Sequence, residues 1–381
     1  MILDAFALLA LALAALPAVL TAVNLVAYRA PRSFREIEAE DPLPRVAVMI
    51  PARDEAPRIA GAVEAALKSR GVEVEVVVMD DHSSDETAAI VRALAEADPR
   101  VRLEQAPPVP RGWAGKSNAC QALADRTTAP WMIFVDADVE LSPDGAARAV
   151  DFLRQSEAGL VSGFPRQITG TLPERLLIPL MYLVLLGYLP LPAMRRSASP
   201  AFAAGCGQLM VARRQAYEKS GGYSAARATF ADGLALPRAF RRAGSRTDLF
   251  DATTIASCRM YEGAREVFRG LAKNAHEGMA SPVGIWVWSI LLLGGHVLPF
   301  ALIGLGAFTG ASSGWLVTSL VAGALALGTR LAVALRFRQS LVGAFPHPFG
   351  VLLLVAIQWY AWWLQRAGRQ VAWKGRLQEA G

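Results

Sequence analysis

The sequence predicts an α/β protein in which a mostly parallel sheet, with helices on both faces, is joined to transmembrane helices. Three observations support this fold class. Short apolar runs alternate with helical patterns through the middle of the chain, long apolar segments lie near both ends, and polar residues follow the predicted strands. Of the 381 residues, 53% are hydrophobic, which is high for a soluble protein and indicates membrane segments.

The segment from Ile2 to Tyr28 is apolar apart from Asp4. It is long enough to cross a hydrocarbon core about 30 Å thick. It lacks a basic start and exceeds the apolar run of a signal peptide, so we expect an anchor rather than a cleaved leader. Arg29, Arg32 and Arg35 follow it, which predicts that the next domain is cytoplasmic.

Three apolar segments near the C-terminus, at 282–308, 313–329 and 349–364, are candidate membrane segments. The third is short and rich in Trp, which is typical of the lipid–water boundary, and a basic tail follows it. Because that tail favours the cytoplasm, we expect the third segment to lie in the interface or to re-enter. The resulting prediction is a multi-pass protein of the inner cell membrane with an anchor at 1–30, a cytoplasmic catalytic domain at 31–280, and a C-terminal membrane region at 281–381 with two or three apolar segments.

The middle domain shows a strand–helix rhythm typical of a parallel sheet. Apolar runs predict strands at 45–51, 74–80, 101–105, 131–135 and 158–164. Helical spacing predicts helices at 55–71, 117–127, 143–156 and 233–242, and a capping box at Ser83 and Glu86 predicts another that ends near Ala97.

In such a sheet, ligands bind outside the carboxyl ends of the strands. Polar residues follow three of these ends, at 51–55, 80–87 and 136–138. Asp136 and Asp138 are two residues apart, so in an extended segment they point to the same side and repel each other. A hard divalent cation, completed by water and phosphate oxygens, relieves that repulsion. The alternative is an acidic turn that caps the helix after Pro143.

Three other residues are candidates for the same site. Lys116 lies in a glycine-containing loop that opens a helix, which suits phosphate although the P-loop signature is absent. Asp81 either belongs to a helix N-terminus or accepts hydrogen bonds from a base or a ribose. Asp232 either caps the helix that follows it or acts as a general base.

Other classes of site are excluded by the pattern of residues. The three cysteines and four histidines are dispersed without metal-site spacing. The net charge of +6 fits a surface that rests on anionic lipid, and there is no basic stripe with interleaved aromatic residues. We therefore expect membrane, and no nucleic acid, as a partner.

Six motifs in order resemble the family 2 glycosyltransferases with the Rossmann-like GT-A fold: VMIPARDE, VVVMDDHSSDET, GWAGKSNA, FVDADVELSP, FADGLALPRAFRRAG and RMYEGAREVFRGLAKN. They span about Val46 to Asn274. Within the family, the chain resembles membrane-anchored enzymes that glycosylate lipids, such as the carotenoid, hopanoid-associated and ceramide glycosyltransferases.

The resemblance implies a nucleotide-sugar donor, UDP-linked, with Mg²⁺ or Mn²⁺ as cofactor. It implies that Asp136 contacts ribose or phosphate, that Asp138 binds the metal in a DXD motif, and that Asp232 is the base. A single base opposite the leaving group gives inversion at the anomeric carbon. Four residues would line the nucleoside site: Pro51, Ala52, Glu55 and Asp81.

Two departures and one further segment refine this expectation. Ala231 replaces the first residue of the acid pair often found at the base position, and the Q-x-x-R-W motif of processive synthases is absent, which favours addition of one hexose. The proline-interrupted apolar segment at 172–195 predicts a membrane-surface element and hence a lipid acceptor with a reactive hydroxyl. Open alternatives are a processive polysaccharide synthase, a polyprenyl-phosphate sugar transferase and a non-catalytic scaffold.

Overall fold

A computed structural model describes residues 1–37, 41–229, 231–275, 278–310 and 314–367. Its strands are β1 Arg45–Ala52, β2 Glu73–Asp80, β3 Val101–Gln105, β4 Trp131–Val135, β5 Val139–Leu141, β6 Ala158–Gln167, β7 Leu209–Arg213 and β8 Arg246–Cys258. Its helices are α1 Ile2–Ala27, α2 Ile59–Leu67, α3 Thr87–Ala97, α4 Gly115–Asp125, α5 Gly145–Gln155, α6 Leu172–Leu177, α7 Leu180–Tyr188, α8 Leu191–Arg196, α9 Arg214–Ser220, α10 Asp232–Arg242, α11 Gly263–Asn274, α12 Gly284–His296, α13 Leu298–Thr309, α14 Gly314–Arg336, α15 Leu341–Ala344 and α16 His347–Arg366.

The chain divides into two compact units. The sheet unit contains Tyr28–Ile168 and Pro192–Met260. The helical unit contains Met1–Ala27, Thr169–Leu191 and the described residues from Tyr261 onward.

Within the described residues, the sheet unit contains one eight-stranded sheet with the order β3-β2-β1-β4-β7-β6-β8-β5. The pairs from β3 to β4 are parallel, as is β6 with β8, whereas β7 is antiparallel to both of its neighbours and β5 is antiparallel to β8. The α/β class is confirmed, and among the described residues four of the seven strand pairs are parallel, so the sheet is mixed with a parallel majority. The predicted βαβ rhythm ends after β6, which is where the antiparallel strand β7 enters.

The burial of strand β1 explains why the sequence of a strand in the middle of the sheet is a continuous apolar run. Val46, Val48 and Ile50 pack on one face with α2, α3 and α5, while Ala47 and Met49 pack on the other with α4 and α10. Successive side chains of a strand point to opposite faces, and both faces of this one are fully buried. The expected helices on both sides of the sheet are therefore present.

The predicted capping box at Ser83 and Glu86 is wrong. Helix α3 begins at Thr87, and no side chain caps its N-terminus. The Ser83 hydroxyl instead accepts a hydrogen bond from the N–H of Asp54 at 3.0 Å, and the N–H of Glu55 donates to Thr87 Oγ1 at 2.8 Å. These polar residues therefore tie the loop after β1 to the loop after β2.

In the helical unit, α1, α14 and α16 are long and apolar enough to cross a membrane. The segment predicted as a continuous span at 282–308 is instead divided into α12 and α13, which meet at a bend of 42°. Pro299, in the first turn of α13, lacks the N–H that a continuous helix would need. The last segment, expected to be borderline, is an unbroken helix of 20 residues.

The predicted membrane-surface segment forms α6, α7 and most of α8, of which α6 and α7 belong to the helical unit. Its place at the membrane surface stays a prediction, as do the domain limits. The basic tail residues Arg369, Lys374 and Arg376 lie outside the described residues.

Candidate active site

The candidate site lies in the sheet unit, beyond the carboxyl end of β4. The N–H of Asp136 donates to the carbonyl of Gln208 at 3.1 Å, and the N–H of Val139 donates to the carbonyl of Asp136 at 3.0 Å. Asp136 and Asp138 are thus held in a tight turn between β4 and β5. Helix α5 begins only at Gly145 after Asp144, so the alternative in which the acidic pair caps that helix is wrong.

Lys116 brings together two carboxylates that are distant in sequence. Its Nζ lies 2.6 Å from Oδ1 of Asp136 and 2.8 Å from Oδ2 of Asp232. The lysine side chain is about one-third exposed, whereas Asp232 is nearly buried. Lys116 is the second residue of α4 and Asp232 is the first residue of α10, so the starts of two helices meet at the end of β4.

Burial and charge pairing have opposite effects on the side chains of Lys116 and Asp136. Burial alone would lower the pKa of Lys116, but the carboxylates of Asp136 and Asp232 outweigh it and raise that pKa well above its ordinary value. Burial raises the pKa of Asp136, and the ammonium of Lys116 offsets only part of this effect. The site is a fixed ammonium between two carboxylates. This ammonium is able to exchange one anionic partner for another.

Asp232 does not cap α10, because the cap position belongs to Ala231. Its Oδ1 accepts a hydrogen bond from the N–H of Gly233 at 2.9 Å, which leaves Oδ2 for Lys116. A Cβ on Gly207 would overlap the Asp232 carboxylate, and a Cβ on Gly233 would lie 2.6 Å from the carbonyl oxygen of Gly205. Gly205 and Gly207, the glycines of the GCG segment at 205–207, therefore permit α10 to approach this segment closely.

Asp138 is held by residues that sequence reasoning missed. Val139 pairs with Cys258 on β8, which places the Cys258 thiol close enough to the Asp138 carboxylate for the two to interact. The amide Nε2 of Gln208 donates to Cys258 Sγ at 2.9 Å. The oxygen Oδ1 of Asp138 is buried without a hydrogen-bond partner among the described residues. No spacing in the sequence links Cys258 to Asp138.

The environment of Asp138 disfavours its charge. Burial, followed by the neighbouring charges of Asp136 and Glu55, raises the pKa of Asp138 above its ordinary value. The charge of Glu55 acts on both aspartates, so Glu55 faces the same rim of the sheet. An added cation would relieve all three carboxylates.

The remaining predicted nucleoside residues lie beside this rim. Pro51 and Ala52 end β1, and the carbonyl of Ala52 accepts a hydrogen bond from the N–H of Asp81 at 2.8 Å. The Arg53 guanidinium donates to the Asp81 carbonyl at 2.8 Å, a contact that the sequence did not predict. Asp81 itself is buried after β2, so its nucleoside role stays a prediction.

Among the described residues, no group of three or more His, Cys, Asp or Glu side chains forms a complete metal cluster. Asp136 and Asp138 provide only two carboxylates. That number fits a Mg²⁺-type cation, which commonly takes one or two carboxylates and completes its shell with substrate phosphates and water. The unpartnered Oδ1 of Asp138 is the oxygen that such an ion would engage first.

Comparison with known proteins defines the class. Residues 47–221 match the family model Glycosyl transferase family 2. The chain therefore contains a domain of glycosyltransferase family 2, and its structure has the GT-A fold.

Particular relatives share most of this region. The chain is 29% identical over 267 residues to 4,4'-diaponeurosporenoate glycosyltransferase of Staphylococcus haemolyticus, which covers 69% of this chain and 70% of that protein. The enzyme of the same name from Staphylococcus aureus (strain MRSA252) is 28% identical over 236 residues, which covers 61% of this chain and 60% of that protein. The match thus spans 60% to 70% of the length of these relatives.

The fold is also that of a mannosyltransferase from Pyrobaculum calidifontis, solved in complex with GDP-Man and Mn²⁺. The TM-score is 0.55 at 22% identity, and the match covers 93% of this chain and 98% of that structure.

Proposed function

We propose that the protein transfers one hexose, with inversion, from a nucleotide sugar of the UDP type to a lipid in the membrane. The observation that supports this most directly is the position of Lys116 Nζ, 2.6 Å from Asp136 and 2.8 Å from Asp232, at a rim that also presents Asp138. Glycosyl transfer needs a cationic group that binds phosphate and a carboxylate that accepts a proton, and this rim has both.

In this proposal, the donor lies across the rim. Pro51, Ala52, Glu55 and Asp81 contact the nucleoside, and Asp136 contacts the ribose or the phosphate. The N-terminus of α4 and its Lys116 bind the diphosphate, since a helix start provides free N–H groups and Lys116 a point charge. Donor binding would move the ammonium from its carboxylate partners toward phosphate.

Asp138, assisted by Asp136, would hold a divalent cation, Mg²⁺ or Mn²⁺. When bound, such a cation stabilises the negative charge that develops on the leaving diphosphate. The buried Oδ1 of Asp138 supports this assignment, because an ionised oxygen without a partner is costly in a buried site.

The transfer itself forms one bond and breaks one. The acceptor oxygen attacks the anomeric carbon, and the bond from that carbon to the diphosphate oxygen breaks, so that the electron pair leaves with the nucleoside diphosphate. If the acceptor is a hydroxyl, its proton goes to Oδ2 of Asp232. That oxygen is the one held by Lys116 before the donor binds.

The chemical class of the acceptor has two candidates. The apolar segment at 172–195 favours a lipid, and the sequence prediction is a hydroxyl. The curated relatives are named for diaponeurosporenoate, whose name denotes a carboxylate of the carotenoid type. A carboxylate is already ionised near neutral pH and needs no general base. We therefore propose a carotenoid-type lipid, with the carboxylate as the second candidate for the reacting group.

Two other transferase classes are less well supported. A processive polysaccharide synthase would be expected to have the Q-x-x-R-W motif, which the sequence lacks. A polyprenyl-phosphate sugar transferase would need no base, and it shares that property with the carboxylate candidate. The proposed location is the inner cell membrane, with several crossings and the sheet unit in the cytoplasm.

The test is a panel of nucleotide sugars offered to the purified full-length protein with polyene alcohols, polyene acids and polyprenyl phosphate in detergent. We expect one hexose to be added to a polyene lipid from a UDP-sugar, with no product after treatment with a chelator. Mass spectrometry counts the hexoses. Longer products, transfer to polyprenyl phosphate alone, or turnover unaffected by chelation would each contradict the proposal.

A further inference from the structure

A group of polar side chains is buried among the apolar helices of the helical unit. Arg330 on α14 is fully buried, as are His296 at the end of α12 and His347 at the start of α16. Candidate membrane helices seldom contain such residues, and where they do, the residues usually face a partner or a functional site. None of them belongs to the glycosyl-transfer site, which lies in the sheet unit.

Only one of the three guanidinium nitrogens of Arg330 has a hydrogen-bond partner among the described residues. Its Nη1 donates to Oε1 of Gln339 at 2.7 Å, whereas Nε and Nη2 are buried without a hydrogen-bond partner among the described residues. The free atoms are the two that lie on one edge of the guanidinium. Elsewhere in the chain, Arg32 uses the same two atoms to bind both oxygens of Asp151, at 3.2 and 2.6 Å.

Two neighbouring side chains present further unpartnered nitrogens. Nε2 of Gln339 and Nδ1 of His347 are buried and have no partner within the described part of the chain. His347 is close enough to Arg330 for the two to interact electrostatically. The donors therefore come from one loop and two helices, with Gln339 in contact with Arg330 and His347 within electrostatic range of it.

A relay of hydrogen bonds fixes the role of His347 Nδ1. The Tyr188 hydroxyl lies 3.3 Å from His296 Nε2, and His296 Nδ1 lies 3.0 Å from His347 Nε2. If the tyrosine donates, neutral His296 donates in turn to His347, and the proton of neutral His347 then resides on Nδ1. That nitrogen becomes a donor beside Arg330.

Helices α12 to α16 provide no anion for these donors. From Gly278 to Gln378 the sequence contains no Asp or Glu, so α12 to α16 lack an internal counter-ion for Arg330. A buried charge without a counter-ion is costly, and a planar guanidinium edge matches the two oxygens of a carboxylate or a phosphate.

We propose that Arg330, Gln339 and His347 form a binding site for the oxyanion head of a membrane amphiphile, either a carboxylate or a phosphate. The surrounding helices are apolar, which suits the acyl or polyene part of such a molecule. The proposal goes beyond glycosyl transfer and does not depend on it, because it concerns binding and needs neither donor nor turnover.

The experiment uses the full-length protein in a neutral detergent and measures binding by native mass spectrometry. The probes are palmitate, phosphatidic acid, the uncharged palmityl alcohol and inorganic phosphate. We expect the two anionic amphiphiles to bind about tenfold more tightly than the alcohol, in line with a charge-assisted pair. Inorganic phosphate that binds as tightly as phosphatidic acid would show a free-anion site and overturn the assignment to an amphiphile.

Two variants and one control locate the site. Arg330→Gln should abolish the preference for anionic probes. Gln339→Glu should also abolish it, because the new carboxylate would satisfy Arg330 from within the chain, and this variant should raise the melting temperature. Arg338→Gln removes an exposed cation of the same region and should leave the preference unchanged. Anion preference that persists in Gln339→Glu, or that is lost equally in Arg338→Gln, overturns the proposal even if Arg330→Gln fails to fold.

Discussion

Lys116 Nζ lies 2.8 Å from Oδ2 of Asp232, so the proposed general base is one half of an ion pair in the absence of donor. The same ammonium lies 2.6 Å from Asp136. The carboxylates of Asp136 and Asp232 thus share the ammonium of Lys116 as their counter-ion. The donor diphosphate would compete with both carboxylates for Lys116, which couples donor binding to release of the base.

Replacing Lys116 with Met should damage both donor binding and stability. The change leaves Asp136 and Asp232 close together without a counter-ion. Because the lysine is one-third exposed, we expect a loss of about 1–3 kcal/mol in the free energy of unfolding, below the 3–5 kcal/mol of a fully buried pair. We expect kcat/KM for the donor to fall about 100-fold, as for loss of a strong phosphate contact. Denaturant unfolding and initial rates measure the two effects.

The matched control for this change is Lys116→Arg, which keeps the charge but alters the geometry. It should retain most of the stability and lose part of the activity, because a guanidinium does not reproduce a compact ammonium. A Lys116→Met protein with normal donor affinity would contradict the phosphate role of Lys116.

Gly207→Ala tests the close approach of α10. A Cβ there would overlap the Asp232 carboxylate, so the carboxylate or the GCG segment must move. We expect a destabilisation of about 1–3 kcal/mol, typical of overpacking, with at least a tenfold loss of kcat. Gly328→Ala is the control, since a Cβ at that helical position meets no atom within 4 Å and should be neutral or slightly stabilising. Equal effects of the two changes would show that Asp232 tolerates displacement.

Cys258 acts on Asp138 as a positioning residue. Its thiol interacts with the Asp138 carboxylate, and Gln208 Nε2 orients the sulfur from 2.9 Å. Cys258→Ala should therefore raise the Mn²⁺ concentration needed for half-maximal rate by about 10-fold or more, as for other residues that orient a metal ligand. The KM for the donor should change much less.

Rescue by a conservative variant separates this role from a general packing effect. Cys258→Ser retains a hydroxyl donor and should recover most of the metal affinity. A general packing effect at a buried cysteine would not depend on a hydrogen-bond donor. Failure of serine to rescue, with normal thermal stability in both variants, would remove Cys258 from the site.

The sequence predicted the parts of the fold that repeat a local pattern. The run around Val48 gave β1, and Asp136 and Asp138 after β4 were correctly placed at the carboxyl rim, because strand ends and apolar periodicity are local properties. The antiparallel entry of β7 was not predicted, since a five-residue apolar strand has no direction in its pattern. The contacts of Lys116 with Asp232 and of Cys258 with Asp138 join residues more than 100 positions apart, and only tertiary packing brings them together.

Binding of the cation should release protons. Burial, followed by the charge of Asp136, raises the pKa of Asp138 above its ordinary value of about 4. Since a metal ligand must be ionised, Mn²⁺ affinity in the presence of UDP should increase as the pH rises through the raised pKa and then level off. Isothermal titration calorimetry in two buffers with different ionisation enthalpies counts the protons released.

The raised pKa of Asp138 also affects the stability of the metal-free protein. The folded state binds more protons than the unfolded chain between the two pKa values of Asp138, so its contribution to the free energy of unfolding is greatest at acid pH and falls as pH rises from about 4 upward. Asp138→Asn should remove both this dependence and the proton release. Metal binding that is independent of pH would contradict the assignment of Asp138 as a ligand.

Asp232→Asn distinguishes the two acceptor candidates. The amide keeps an oxygen for the N–H of Gly233 but cannot accept the proton of a hydroxyl. With a polyene alcohol, we expect turnover to fall about 10²–10⁴-fold, the usual contribution of a general base. With the corresponding polyene acid, turnover should stay within a few fold of the unmodified protein, because the acceptor is already ionised. Asp125→Asn, at the exposed end of α4, is the control and should leave both reactions unchanged. Mild alkali then identifies the product, since it cleaves a glycosyl ester but leaves a glycoside intact. Equal losses on both acceptors would show that Asp232 serves the donor through Lys116 and is not the base.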